Sequence, residues 1–253
     1  MAAISYISPT GQPVDLLSTH YGLSVEYGGL TGMVGESVPE VITTPGVRGQ
    51  MVDYHTIKPM VGVLKLIISA ADCTGLQNTY RFLRSVFSPT ACGTLVLDAG
   101  HSLGAVTARV RLNSPIALPP SDLGETTALA DVEVSLICDD GVWQQSQSET
   151  NPKVSITNFG DVMICPRIHW TESTHITLPS RAGFVLPAVK AEHVLVLDPL
   201  RGCAISSQGK PVPELLSAIK VLPEGVPVGE TRSFVLTQGA YMSWDVEWLD
   251  PWM

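Results

Sequence analysis

The stretch from Asp72 to Arg111, DCTGLQNTYRFLRSVFSPTACGTLVLDAGHSLGAVTARVR, constrains the fold more than any other, because it holds the one long helical pattern in a chain that otherwise reads as strands. Leu76, Tyr80, Leu83 and Phe87 recur at the spacing that stacks side chains on one face of an α-helix, and Gln77, Arg81 and Arg84 fall on the other face. Asp72 or Thr74 can accept a hydrogen bond from the first free backbone amides, and Pro89, which has no amide donor, stops the run. The spacing therefore predicts a helix over 75–87. Thr94 to Asp98 and Ala105 to Leu112 then read as a strand, a Gly-containing turn and a returning strand. A single amphipathic helix feeding a hairpin needs a larger sheet to cover its apolar face. The β-branched runs Val61 to Ile68 and Asp131 to Cys138 supply strands for it on either side.

At 253 residues, the chain has room for one large β domain or two ordinary ones, so pattern has to decide. Up to Trp143 the elements described above dominate. Residues 144–152, QQSQSETNP, are polar throughout and predict a linker. Beyond them come short strands separated by turn residues, the spacing of a sandwich: Val154 to Thr157, Met163 to Trp170, His175 to Pro179, His193 to Asp198, Cys203 to Ser206, Ser233 to Thr237 and Met242 to Leu249. Residues 212–219 predict one short helical piece. In the last strand Met242, Trp244, Val246 and Trp248 alternate with Ser243, Asp245 and Glu247, giving one apolar and one polar face. The fold class expected is mainly β, with an N-terminal sandwich-type domain over 1–145 carrying the helix and a C-terminal sandwich over 153–253.

Other segments read as connections. Residues 4–17 give two short strands about a Gly11-Gln12-Pro13 turn, and Tyr27 to Gly35, with four glycines, predicts an exposed loop. Thr43 to Gln50, TTPGVRGQ, is a turn between two apolar segments, and Ser114 to Asp122, with three prolines, is a loop.

Hydrophobic residues make up 45% of the chain and charged residues only 15%, a poor supply of charge for a free surface and a better match to a subunit that buries itself against copies or partners. A net charge of −9 argues against a protein that grips phosphates, because nucleic-acid affinity depends on Lys and Arg releasing counterions. The N-terminus lacks the basic start and apolar core of a signal peptide, and no apolar run approaches the roughly 20 residues that span a bilayer.

Catalytic signals are absent from the pattern. The histidines, His20, His55, His101, His169, His175 and His193, stand in no ligand spacing; there is neither HExxH nor GxSxG, and no GxxxxGK[ST] accompanies the glycines at 28–35. Cys73, Cys92, Cys138, Cys165 and Cys203 are odd in number and unpaired in spacing, so they read as buried reduced thiols and suggest neither a zinc site nor a disulfide framework. No cofactor or metal is expected. Asp139-Asp140 and Asp245-x-Glu247 read as solvated strand carboxylates in place of a glycosidase pair. Trp170, Trp244 and Trp248 allow a sugar-stacking platform, the alternative being that Trp244 and Trp248 lie on the apolar face of the last strand.

The order of segments resembles the distal tail protein family of long-tailed phages, also called the siphophage tail component or Dit family. KLIIS, TGLQNTYRFLRSVFS, TACG and TLVLDAGHSLGAVTARVRL follow its strand, helix, strand, strand order. ALADVEVSLICDD and Gly141-Val142-Trp143 stand where the family tends to carry a DPxW-like element, here DDGVW. NFGDVMICPRIHW is similar to its N-x-G-D…P-x-I opening of an outer sandwich, and EHVLVLDPLRGCAISSQGKPV, VLPEGVPVGETRSFVL and YMSWDVEWLDPWM complete the order. The resemblance implies a structural virion protein of the tail tip and no enzyme: an N-terminal domain forming a hexameric ring, a galectin-like C-terminal sandwich facing outward, and tail tube, tape measure and baseplate hub proteins as partners. DNA would pass through the ring without specific binding. Arg48, in the PGVRGQ turn, and Tyr54 are the candidate intersubunit contacts, and Trp170 the candidate sugar or partner contact. The other classes open to such a chain are a carbohydrate-binding adhesion module and a hydrolase with an unrecognised site.

Overall fold

The computed structural model describes residues 3–17, 22–42, 46, 48–49, 51–98, 104–119, 125–219, 221–237 and 239–252. His20, His101, the Gly100 turn and parts of the 43–50 and 114–122 segments lie outside the described residues. The chain divides into two compact units, Met1–Trp143 with Leu249–Met253, and Gln144–Trp248.

In the first unit the strands are β1 (Ala3–Ile7), β2 (Pro13–Asp15), β3 (Leu23–Gly32), β4 (Glu36–Ile42), β5 (Met51–Lys58), β6 (Met60–Ser69), β7 (Gly93–Asp98), β8 (Val106–Leu112) and β9 (Ala128–Cys138), with α1 (Cys73–Val86) between β6 and β7. Antiparallel pairing runs β2-β1-β7-β8 in one layer and β3-β6-β9 in the other. The layers meet where β8 touches β9 at Arg111↔Ile137 and Leu112↔Leu136. At the opposite edges the amide of Val25 donates to the carbonyl of Leu16 at 2.7 Å. Alternation decides what lies inside: Leu64, Leu66 and Ile68 of β6 and Leu95 and Leu97 of β7 are buried, while their neighbours are half-exposed. Each such side chain contributes about 1.5–3 kcal/mol by leaving water.

The helix begins two residues earlier than the spacing predicts. Asp72 is its N-cap and accepts the amide of Gly75 at 2.6 Å. It ends at Val86, and Phe87 is extended (ψ 132), which leaves Leu76, Tyr80, Leu83 and Val86 as the buried helical face. Phe87 is still buried, because its ring stacks on Tyr6 with centroids 4.2 Å apart.

The glycine-rich segment is not an open loop. Residues 23–32 form β3 against β6, interrupted by a register shift between Val25 and Leu30. A Cβ on Gly29 would sit 2.7 Å from the carbonyl oxygen of Lys65, so glycine there permits the backbones to approach, a role that composition cannot separate from flexibility. The wholly exposed Tyr27 sits within the bulge.

The second unit contains most of β10 (Trp143–Glu149), then β11 (Lys153–Thr157), β12 (Arg167–Trp170), β13 (Thr174–Thr177), β14 (Gly183–Leu186), β15 (His193–Val196), β16 (Ala204–Ser207), β17 (Lys210–Pro211), the short α2 (Pro213–Ala218), β18 (Thr231–Leu236) and β19 (Ala240–Trp248). One layer runs β17-β16-β15-β12-β19-β10 and the other is a four-stranded sheet, β11-β18-β13-β14. Ile168, Trp170, Leu195, Met242, Trp244, Val246 and Trp248 of the first layer and Val154, Ile156, Ile176, Phe234 and Leu236 of the second are buried, so the two apolar faces make one sandwich core. Residues 144–149 are therefore a strand of this sandwich beside β19 and not the linker that their polarity predicts. The side chains of a strand with one solvated face can be as polar as those of a linker, and pairing with β19 is a non-local event. The unit boundary correspondingly falls at 143/144, with Leu249–Met253 returning to the first unit. No helix among the described residues is long and apolar enough to cross a membrane.

The NFGD segment has a structural task. Asn158, buried, donates from Nδ2 to the carbonyls of Val162 (2.8 Å) and Val226 (2.9 Å), and its Oδ1 accepts the amide of Gly160 at 2.9 Å. One side chain thus pins two loops of the sandwich.

Candidate functional surface

The feature of the first unit that its own core does not explain is the ribbon β4–β5. Among the described residues it is a two-stranded sheet paired only with itself, from Glu36↔Lys58 to Ile42↔Met51, with a register shift between Glu40 and Val41. At its base Lys58 and Glu36 form an ion pair of 3.3 Å, and Ser37 Oγ lies 3.2 Å from His55 Nδ1. Towards its far end polar cover runs out. Val41, Ile42, Met51, Val52 and Tyr54 are between 44% and 62% exposed, and Val41↔Val52 and Ile42↔Met51 are cross-strand neighbours. An isolated two-stranded ribbon is marginal in water, and alternation places Val41 and Val52 on one face of its end and Ile42, Met51 and Tyr54, with Glu40, on the other, so exposed apolar side chains mark both faces as contact surface.

Tyr54 lies on this surface, and Arg48 is an exposed residue of the connection beyond it, so the structure brings the two candidate contact residues to one end of one element. Val41, Ile42, Met51 and Val52 carry no charged or polar group that would mark them individually as contact residues. The signal was present: two apolar runs flanking a Pro-Gly turn are the pattern of a hairpin.

Trp170 is placed differently from its role as a candidate contact. It is 1% exposed, its Nε1 donates to the carbonyl of Pro187 at 3.0 Å, and its ring packs beside His193 at 5.6 Å. Trp244 and Trp248 are buried on the apolar face of β19, as the alternation predicts. None of the three offers an open ring face for a sugar.

The outward face of β12 and β19 carries instead a mutually bonded polar cluster. Arg167 Nη1 donates to Asp245 Oδ2 at 2.7 Å and its Nε to Ser243 Oγ at 3.3 Å, and Ser146 Oγ also donates to Asp245, at 2.6 Å. Burial works against the Asp245 charge, but the hydrogen bonds from Arg167 and Ser146 and the nearby guanidinium outweigh it and hold the carboxyl below its ordinary range. His169 Nε2 lies 2.8 Å from Ser243 Oγ, its ring stacks on Tyr241 at 4.4 Å, and its Nδ1 faces Glu192 at 3.3 Å outside hydrogen-bonding geometry. Burial lowers the His169 pKa, with the Arg167 charge acting the same way and Glu192 opposing. Tyr241 closes the cluster by donating to Glu192 at 2.8 Å.

Among the described residues no group of His, Cys, Asp and Glu is arranged to hold a metal. The five cysteines are free; Cys138 is buried and the others are half-buried. Burial pushes the Cys165 thiol up to about 12 and Cys203 up to about 11, which keeps both protonated and unreactive.

No protein-family model matches the sequence, and no curated protein matches it. Solved structures do. The crystal structure of the SPP1 Dit protein, described as a paradigm of the hub adsorption apparatus in phages that infect Gram-positive bacteria, superposes over 98% of this chain and 99% of its own with a TM-score of 0.61 at 12% identity. Chains of the phage P2 baseplate in its activated conformation, with Ca and with Sr, match over 97% of this chain at a TM-score of 0.49 and at 9% and 8% identity. The chain thus has, through both units, the fold of the SPP1 Dit protein.

Proposed function

We propose that this chain is a distal tail protein, a structural subunit whose copies close into a hexameric ring at the tip of a phage tail. The observation that carries the proposal is the end-to-end correspondence with the SPP1 Dit protein, which includes both units and leaves 1% of that chain uncovered. A likeness confined to a common sandwich would not follow two successive units in one chain. The ring would join the tail tube and tape measure above to baseplate hub proteins below, and its place would be the virion tail tip. No catalytic step belongs to this role.

The ribbon β4–β5 supports self-association. A ring needs a head-to-tail contact between two different surfaces of one chain, and a projecting ribbon with an apolar end is suited to such a contact. Arg48 and Tyr54 are assigned to it. A net charge of −9 on each copy suits a channel that lets DNA pass without adhering, since the wall has few cations to exchange for counterions. The second unit faces outward in this scheme as a galectin-like sandwich. A sugar-binding role for it draws no support from Trp170, which is buried.

Size-exclusion chromatography with light scattering on the full chain, followed by electron microscopy, tests the proposal. The expected result is a ring of six copies that Arg48→Glu weakens while the melting temperature of the monomer stays unchanged. A chain that is monomeric at every accessible concentration would overturn it.

A further inference from the structure

We infer that the apolar end of the β4–β5 ribbon seats in a cleft at the C-terminal end of α1 on a second copy of this chain; the inference rests on the ring reading above. The cleft has a volume of about 260 Å³ and is lined by Phe87, Pro89, Leu112, Pro115 and Ile116, with Arg84 on its wall. Its floor is fixed by the core: Phe87 is stacked on Tyr6, and Leu112 is tied by its amide to the carbonyl of Ser88 at 2.9 Å. A preformed apolar hollow of this kind loses little entropy when an apolar group fills it.

Three observations favour the ribbon of another copy as the occupant. First, one face of the ribbon offers a compact apolar set to fill the hollow, Ile42, Met51 and Tyr54, already held in register by backbone pairing. Second, charge is complementary. Arg84 has no ion pair among the described residues. Glu40, opposite Tyr54 on that same face, accepts among the described residues only a long bond of 3.4 Å from Thr56 Oγ1, so its carboxylate is available to a guanidinium. Third, ribbon and cleft are different surfaces of the same unit, which is the requirement for a heterologous contact that propagates from copy to copy and closes. The seven residues of β4 reach about 23 Å at roughly 3.3 Å per residue, long enough to span from one copy to its neighbour.

Charge exchange between the two surfaces gives the test, read as the dissociation constant of the ring by light scattering across a dilution series. Glu40→Arg and Arg84→Glu should each weaken assembly at least tenfold, and the chain carrying both should recover most of the loss. Both residues are exposed or half-exposed, so folding should be unaffected, which circular dichroism would check. Ser114→Trp, at the exposed rim, should fill the cleft and weaken assembly equally. If Met51→Asp abolishes the ring while Arg84→Glu and Ser114→Trp leave it intact, the ribbon binds elsewhere and the cleft assignment is wrong although the ring stands. Failure of the double exchange to rescue would also overturn the pairing. A wild-type chain that never assembles removes the ring and this contact together.

Discussion

The amide of Gly35 donates to the carbonyl of Leu249 at 2.8 Å, joining residues more than two hundred positions apart within the first unit. A Cβ on Gly35 would also lie 2.3 Å from the carbonyl oxygen of Gly141 and 2.8 Å from Leu249 Cδ2. The segments on which the chain leaves the first unit and re-enters it therefore sit side by side. The second unit is inserted into the first, so a cut at 145/153 would divide neither correctly.

The first prediction follows from that geometry. A chain in which a short Gly-Ser linker replaces 144–248 should fold as the first unit and unfold cooperatively in a thermal scan, because the ends to be joined are already adjacent. Ending the chain at 145 should instead lose the Leu249 bond and melt lower. Equal melting temperatures for the two chains would refute the insertion.

The helix carries the second prediction. Leu83 is fully buried and Arg81 is exposed, with a local 3.3 Å bond to Asn78. Leu83→Ala should cost about 2–5 kcal/mol in urea unfolding as a large-to-small change in a packed core. Arg81→Ala should stay within roughly 0.5 kcal/mol, as surface changes do. Comparable losses would mean that the helix presents another face to the core.

Asn158 should prove sensitive well beyond its size. Asn158→Ala leaves the Gly160 amide and the Val162 carbonyl without this partner, while the Val226 carbonyl keeps the amide of Ile164 at 3.0 Å, and each buried group left unpaired costs about 1–3 kcal/mol. Asn158→Asp should also destabilise, since it replaces the two donated bonds with a carboxylate facing two carbonyl oxygens. A melting temperature unchanged in both variants would remove Asn158 from its place as the pin of the two loops.

Acid should weaken the second unit in two stages. The folded pKa values of His169 and Asp245 are both depressed, so in each case the unfolded chain binds the proton more readily. The stability each contributes is complete above its unfolded value and lost as pH falls through its folded one. For His169 the loss begins below about 6.5, and for Asp245 below about 3.9. Stability measured against pH by urea titration should show the upper step vanish in His169→Gln and the lower step shrink in Asp245→Asn. A curve that is flat from neutrality to the onset of general acid unfolding would contradict both.

How much of this was legible beforehand depended on whether the signal was local. The helix could be read because i, i+4, i+7 spacing is set by backbone geometry within a few turns, and only its frayed end at Phe87 needed the stacking on Tyr6 to be understood. The face of β19 was legible for the same reason, a strict period of two from Met242 to Trp248. Arg48 and Tyr54 could be singled out as exposed, but the apolar face around Tyr54 could not, because Ile42 meets Met51 only once the two strands pair.

The amino-acid sequence by itself determined the mainly β character, the single long helix and its buried face, the alternation of the strands and the low surface charge, all of them properties of neighbouring residues. Tertiary structure alone decided that Gly28, Gly29 and Gly32 belong to a strand, that residues 144–149 pair beside β19, that Trp170 turns inward and that Leu249 returns to Gly35. Each of these rests on a hydrogen bond or packing contact with a partner far along the chain. A polar strand with one solvated face and a polar linker have the same composition, and only the partner's backbone distinguishes them.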